Sequence, residues 1–467
     1  MKRFAAILAT TSLLLSACTT VGPDYRAPDA ATLRVPDRYF GAAPAPSATA
    51  LATWWTQLGD PQLDSLVARA LDGNLDLAVA LTRLRQAREA LVQARAGLLP
   101  TLDASGGVRQ DVADNGGSDT TLSVGADAAW EIDLFGGISR GIEAARADAE
   151  ASGYDLAAVR VAIVAELVTN YVQAREAQRR LALAKDTLAI ADDNLQIAGW
   201  RVQAGLVSSL DVEQARGARA QTAATIPTIE AQYAAAAFRI AVLTGQAPGA
   251  LRSELDASRP VPAAPAQVAV GIPADTLRQR PDVRAAERTL AAQTARIGVT
   301  QAQLYPSLRL SGNIGSTALG LGGLVDQLTG SLFAGLTQMI FDAGRTRSQM
   351  RAQQAAAQGA LATYRQTVLT ALEDVENGLV ALDSAKRRQT QFAAALDAAN
   401  NQAILARSEY RAGLTDFQTL LEAERALLSA RGGLISSHAD QTLAFVQLYR
   451  AMGGGWDPAA PPQEGRI

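Results

Sequence analysis

Ala94-Arg95-Ala96-Gly97-Leu98-Leu99-Pro100-Thr101-Leu102 returns 206 positions later as Thr300-Gln301-Ala302-Gln303-Leu304-Tyr305-Pro306-Ser307-Leu308. The same offset of 206 separates Phe135 from Phe341 and Asp76 from Asp282, while Ala204-Gly205-Leu206 returns as Ala412-Gly413-Leu414 at 208. A nearly constant offset means two tandem copies of one supersecondary unit with almost no insertions. Five prolines (Pro248, Pro260, Pro262, Pro265 and Pro273) punctuate residues 248–273, which read as the linker between the copies. This divides the chain into an extension over 18–60, a first repeat over 61–247, a second over 274–453 and a tail over 454–467.

Each copy reads helix, hairpin, very long helix, helix. In the first, a helix over Leu75–Leu98 ends at Pro100, and the hairpin spans about 101–135. Leu102, Ala104, Gly106 and Val108 alternate with Asp103, Ser105 and Arg109. After a turn at Asn115-Gly116-Gly117, Leu122, Val124, Ala126, Ala128, Trp130, Ile132 and Leu134 alternate with Ser123, Asp127, Glu131 and Asp133. The second hairpin, about 307–341, repeats this with Leu308, Leu310 and Ile314 flanking Arg309, then Leu332, Ala334, Leu336 and Ile340. Past each hairpin the period changes to a heptad: Leu181, Ala184, Leu188, Ala191, Leu195 and Ala198, and later Phe392, Leu396, Ala399, Ala403, Ala406 and Tyr410. Alanines at alternate seam positions let helices approach closely. Residues 141–203 and 345–411 contain no proline, and at 1.5 Å per residue each helix spans on the order of 90 Å. Both end in an Ala-Gly-Leu turn, and Pro227 is expected to kink the first returning helix.

Strands of roughly 10 residues with one apolar and one charged face suit a barrel wall, lipid outside and water inside. Four strands cannot close a barrel, since about eight are needed and eight leave an interior filled by side chains. Three chains supply about twelve strands and an open polar lumen. Asp103, Arg109, Asp127, Glu131, Asp133 and Arg309 are the expected lumen-facing residues. The alternative is a half-buried sheet in a soluble protein. Beyond the leader no run approaches the ~20 apolar residues of a spanning helix, so a mature chain that crosses a membrane does so as a barrel.

The leader is read from Lys2 and Arg3, an apolar stretch from Phe4 to Leu15, and then Leu15-Ser16-Ala17-Cys18. It resembles the signal of bacterial lipoproteins, in which residues 1–17 are removed and the Cys18 thiol is acylated. Among 467 residues there is one Cys and one His, so a Cys/His metal cage or a Cys–His nucleophile lacks material. A net charge of -3 with 19% charged residues gives no footprint for nucleic acid. Hydrophobic residues make up 48% but aromatics only 5%, which suits long, closely packed helices. Gly320-Leu321-Gly322-Gly323 lacks the Lys-Ser/Thr ending of a phosphate loop and reads as a loop between strands. His438 lies on a helix without a companion ligand, and the Glu131/Asp133 pair has no third group to complete a catalytic site. No enzymatic activity, metal or cofactor is expected.

Cys18-Thr19-Thr20-Val21-Gly22-Pro23-Asp24-Tyr25, Trp54-Trp55 followed by Asp60-Pro61-Gln62-Leu63, and Arg280-Pro281-Asp282-Val283 with Tyr305-Pro306-Ser307 are similar to signatures of outer-membrane-factor lipoproteins of the TolC/NodT type. The resemblance covers nearly the whole mature chain. It implies a homotrimer: a 12-stranded barrel in the outer membrane, and an α-helical tunnel into the periplasm with a belt built from the termini and the linker. It further implies a passive export duct that works with a periplasmic adaptor and an inner-membrane transporter. Carried over by position, Tyr410 matches the tyrosine of the periplasmic gate and Asp211 its aspartate partner. Glu422 falls where three copies form an acidic ring, and Gly205, Leu206, Gly413 and Leu414 fall at the adaptor-docking tips. Thr415 and Thr419 stand where other members have an arginine and an aspartate, which predicts a gate held by fewer charged contacts. A duct for protein or peptide secretion, and a lipid-anchored coiled-coil scaffold with no pore, are the competing readings.

Overall fold

The computed structural model describes residues 20–29, 31–33, 35–40, 51–112, 118–265, 268 and 273–458. Cys18 and the leader lie outside them. After a short 3-10 helix at Leu51–Leu58 come α1 (Pro61–Gly73), α2 (Leu75–Ala96), β1 (Thr101–Val112), β2 (Ser118–Ile132), α3 (Gly137–Gln203) and α4 (Ser209–Leu243). Of two short helices, α5 (Arg252–Leu255) lies within the linker and α6 (Pro273–Gln279) begins at its end. The pattern then repeats as α7 (Pro281–Ala302), β3 (Ser307–Ala318), β4 (Leu328–Thr337), α8 (Arg345–Ala412) and α9 (Phe417–Ala451).

Local chemistry accounts for the boundaries. The Asp60 carboxylate accepts the amides of Gln62 and Leu63 at the start of α1, and Pro61 occupies the first turn, where its missing N–H costs nothing. The two long helices run 67 and 68 residues, on the order of 100 Å each. Pro227 lies inside α4, which continues from Ser209 to Leu243 through it. Gly320–Gly323, expected as a plain loop, leads into a 3-10 helix at Leu321–Val325 between β3 and β4.

The four strands form one antiparallel sheet in the order β1-β2-β3-β4. β2 and β3 come from different repeats and pair from Leu122↔Ala318 to Ile132↔Leu308. Opposed residues share a face, so Leu102, Ala128, Gly312 and Leu332 line one side and Asp103, Asp127, Asn313 and Ser331 the other. β1 and β4 are the edges. β2 stops at Ile132, and Leu134 bonds back to the Ile132 carbonyl, so the strand is shorter than its alternating sequence. Ile340 likewise lies past the end of β4 at Thr337.

Contacts divide the chain into two compact units, Met1–Asp29 with Thr82–Tyr154 and Val283–Thr367, and Ala30–Leu81 with Asp155–Asp282 and Val368–Ile467. Each takes segments from both repeats. The core of the second unit gathers Trp54, Leu63 and Leu66 with Val164, Leu167 and Tyr171 of α3 and Phe445, Leu448 and Tyr449 of α9. In the first unit the segment after Thr20 is clamped. Val21 donates to the Phe135 carbonyl at 3.0 Å, and the buried Arg140 guanidinium grips the Val21 and Gly22 carbonyls and the Asp24 carboxylate. Gly22 has φ +97°, and a Cβ there would lie 2.4 Å from the Gly298 Cα. Gly22→Ala therefore combines left-handed strain with a backbone clash, at about 2 kcal/mol or more. The expected result is release of this segment, measured as faster tryptic cleavage after the exposed Arg26.

Candidate functional site

Every expected lumen residue except Asp133 lies on the polar face of the sheet. Asp103 stands opposite Asp127, Arg109 opposite Thr121, and Glu131 opposite Arg309. Arg109 also approaches Asp111 at 3.9 Å. Asn313 accepts from the amide and hydroxyl of Ser331, which ties β3 to β4 on that face. Asp133 is a correction. It lies past β2, and its carboxylate accepts the Ile138 and Ser139 amides and the Ser139 hydroxyl, capping the first turn of α3. Asp342 does the same for α8 through the Gly344 and Thr346 amides, and bonds from the Thr346 hydroxyl and N–H hold its carboxyl below the usual aspartate range. Among the described residues no group of three His, Cys, Asp or Glu side chains can hold a metal ion.

The Ala-Gly-Leu turns end α3 and α8 in the same way. Gly205 and Gly413 adopt φ +68° and +75°, while the amides of Leu206 and Leu414 reach back to the carbonyls of Arg201 and Glu409. This closes each helix in the left-handed cap that glycine allows. Leu206 and Leu414 remain 67% and 79% exposed. The returning helices are capped by Ser208 and Asp416. Bonds from the Thr419 amide and hydroxyl hold the Asp416 carboxyl below its ordinary range. A carboxyl lowered in the folded state contributes above its unfolded value and loses that contribution as pH falls through the folded one. Acidification below about pH 3.9 is therefore expected to fray the first turn of α9, seen as faster hydrogen exchange at Thr419.

Below the turns lies a separate apolar cluster of Ala198, Ala215, Ala406, Tyr410, Phe417, Leu420, Leu421 and Ala423. Tyr410 is 5% exposed, and its hydroxyl has no hydrogen-bond partner. The expected Tyr410–Asp211 bond is therefore not made within this chain. Asp211 lies half-exposed in the first turn of α4, and the exposed Glu422 accepts from Gln418 at 3.0 Å. The Tyr410 ring instead packs on Phe417 at 5.6 Å and under the Arg201 guanidinium at 4.4 Å. Glu424, two positions after Glu422, accepts from Asn194 at 2.6 Å and Arg407 at 3.2 Å. Sequence reading missed Arg201, Asn194 and Glu424. The available signal was spacing, since Asn194 and Arg201 stand one heptad apart on α3.

The remaining motif residues are structural. Arg280, 8% exposed, chelates Asp282 and reaches Asp374 and the Ala451 carbonyl. Asn74, the equivalent position in the first repeat, donates to the Leu243 carbonyl. Different side chains thus tie α2 and α7 to the ends of α4 and α9. Trp130 and Gln338 likewise each bond the carbonyl two residues before the hairpin proline, at Leu98 and Leu304. His438 meets Gln389 at 2.9 Å on an exposed face.

Residues 66–246 and 272–454 match the family model described as outer membrane efflux protein. Nodulation protein T of Rhizobium leguminosarum bv. trifolii is 33% identical over 457 residues, covering 96% of this chain and 97% of that protein. The pyoverdine export outer membrane protein OpmQ of Pseudomonas aeruginosa is 33% identical over 470 residues, covering 98% and 97%. The solved outer-membrane channel OprN superposes with a TM-score of 0.86 at 36% identity, over 94% of this chain and 100% of that one.

Proposed function

Because the chain belongs to the outer membrane efflux protein family, we propose that it is the gated, passive exit duct of a tripartite export pump for small toxic compounds. It performs no chemistry of its own. The observation that carries this reading is the sheet, with one mainly apolar face, an opposite face that carries its charged side chains, and two open edges. An open edge in lipid leaves backbone groups unsatisfied, so the sheet must close by joining other copies. Three copies bring twelve strands, a number that leaves a water-filled lumen beyond the packed interior of about eight. Among the described residues no helix is long and apolar enough to cross a membrane.

The long helices then form the periplasmic tunnel. The exposed Leu206 and Leu414 at its tips suit docking to a periplasmic adaptor that links the duct to an inner-membrane transporter. Asp211, Tyr410 and Glu422 gather at that end, where three Glu422 carboxylates around an axis form a cation-attracting ring. Acylated Cys18 anchors the chain to outer-membrane lipid. Labelled palmitate is expected to enter the wild-type chain and not Cys18→Ser.

Single-channel conductance of the purified protein in planar bilayers, after its trimeric state is checked, tests the reading. A small conductance that trivalent cations block, with block weakened at least tenfold in Glu422→Gln, is the expected result, since removing three clustered charges costs more than about 1.4 kcal/mol of cation binding. A stable protein without conductance points instead to a lipid-anchored scaffold.

A further inference from the structure

The tip cluster is poor in apolar area. Four of its eight buried members are alanines, and the bulk comes from Tyr410, Phe417, Leu420 and Leu421. Burial scales with area, so the polar ties at the edge of such a cluster carry a larger share of its cohesion. A cavity of about 450 Å³ lined by Asn194, Ala215, Leu421 and Glu424 opens beside it, so packing does not brace this flank.

Two ties run from α3 to the α8–α9 hairpin. The Arg201 guanidinium lies 4.4 Å from the centroid of the Tyr410 ring, and its Nη1 donates to the Tyr410 carbonyl at 3.4 Å. Seven residues earlier on the same face, Asn194 Nδ2 donates to Glu424 Oε2 at 2.6 Å. The second Glu424 oxygen accepts from Arg407 at 3.2 Å, which joins α8 to α9 within the hairpin. The Glu424 side chain is only 15% exposed, so these charge-assisted bonds act away from bulk water, where they are strongest. The Tyr410 hydroxyl, by contrast, is buried and bonds to nothing.

We propose that Arg201 and Glu424 form the latch that holds α3 to the α8–α9 hairpin at the tunnel tip, and that Tyr410 serves it through the face of its ring rather than through its hydroxyl. The proposal rests on the gated-duct reading. It relocates the restraint from a tyrosine–aspartate hydrogen bond to a cation–ring contact backed by a half-buried carboxylate. Opening then requires α3 to slide off the hairpin, breaking both ties while the α8–α9 pairing through Arg407 survives.

The test is the conductance of purified full-length trimers carrying single substitutions, each checked for trimer and helix content. Arg201→Leu keeps the apolar stem and removes the cation. It is expected to raise conductance roughly fivefold over wild type, as the loss of one cation–ring contact per subunit predicts. Arg201→Lys, which keeps charge without the planar fork, should fall between. Glu424→Gln should also rise, because its bonds to Asn194 and Arg407 lose their charge. Tyr410→Leu should conduct several times more than Tyr410→Phe, and Asp211→Ala should rise less than Arg201→Leu. Equal conductance for Tyr410→Leu and Tyr410→Phe, or an Arg201→Leu channel indistinguishable from wild type, overturns the latch and leaves the duct standing. Trimers that never conduct, wild type included, overturn the duct reading itself.

Discussion

Trp54→Ala is expected to lower the thermal midpoint of the helical signal by the largest margin of any single change in the N-terminal extension, at a cost of about 3–5 kcal/mol. Trp54 is fully buried. Its ring stacks on Tyr449 at 5.5 Å and meets Phe445 and Trp55 edge-on at 5.8 and 6.2 Å. These rings join the 3-10 helix at Leu51–Leu58 to the end of α9, where the Gly455 amide also bonds the Leu51 carbonyl. Truncation leaves a cavity walled by rigid rings, which collapses poorly. The indole Nε1 has no hydrogen-bond partner, so Trp54→Phe loses volume but no bond and should recover most of the stability. Circular dichroism of the detergent-solubilised protein gives the comparison. A Trp54→Ala protein that melts with the wild type would mean this segment lies outside the cooperative core.

Arg175→Met is expected to cost about 3 kcal/mol or more, although methionine matches the length of the stem. Arg175 is 0% exposed. One guanidinium nitrogen serves Gln178 and the Leu255 and Ala257 carbonyls, and another serves Gln62 at 2.6 Å. The charge also lies over the Tyr171 ring at 4.8 Å. Methionine takes the guanidinium donors from the Gln62, Gln178 and Ala257 oxygens, while the Leu255 carbonyl keeps the bond from Gln178 Nε2 at 2.7 Å, and unmade bonds cost more than made ones contribute. The expected readout is a lowered midpoint together with faster tryptic cleavage of the linker after the exposed Arg252, because the Ala257 carbonyl loses its tether. Gln62→Leu together with Arg175→Met should recover part of the loss, since removing both partners costs less than orphaning one.

The two changes show where reading the chain succeeds. Trp54-Trp55 stands out as two adjacent indoles in a chain with 5% aromatics, and both are buried in the core. Arg175 gives no such sign, since an arginine within a heptad pattern looks like a solvated face. Its burial depends on Leu255, 80 positions away. Asp133 failed for a different reason. The apolar–polar alternation runs on through Leu134, but the backbone turns after Ile132 and hands the carboxylate to the start of α3. Alternation records which residues tolerate opposite faces, not where a strand stops. At the tip, Tyr410 and the glycine turns were legible. Arg201 was not, because its contact with the Tyr410 carbonyl joins residues 209 positions apart.

The sequence by itself determined the two repeats, the hairpins, the helix ends at Gly205 and Gly413 and the sheet's division into apolar and polar faces. Each of these follows from periodicity and from turn and cap residues acting within a few positions. Only the tertiary structure decided which polar side chains are structural and which stay free. It buried Arg175, Arg140 and Arg280 as clamps, moved Asp133 to a helix cap and set Arg201 on the Tyr410 ring. The physical reason is that a charged group takes its role from the partner that meets it, and these partners are brought close by the register of helices distant in the chain.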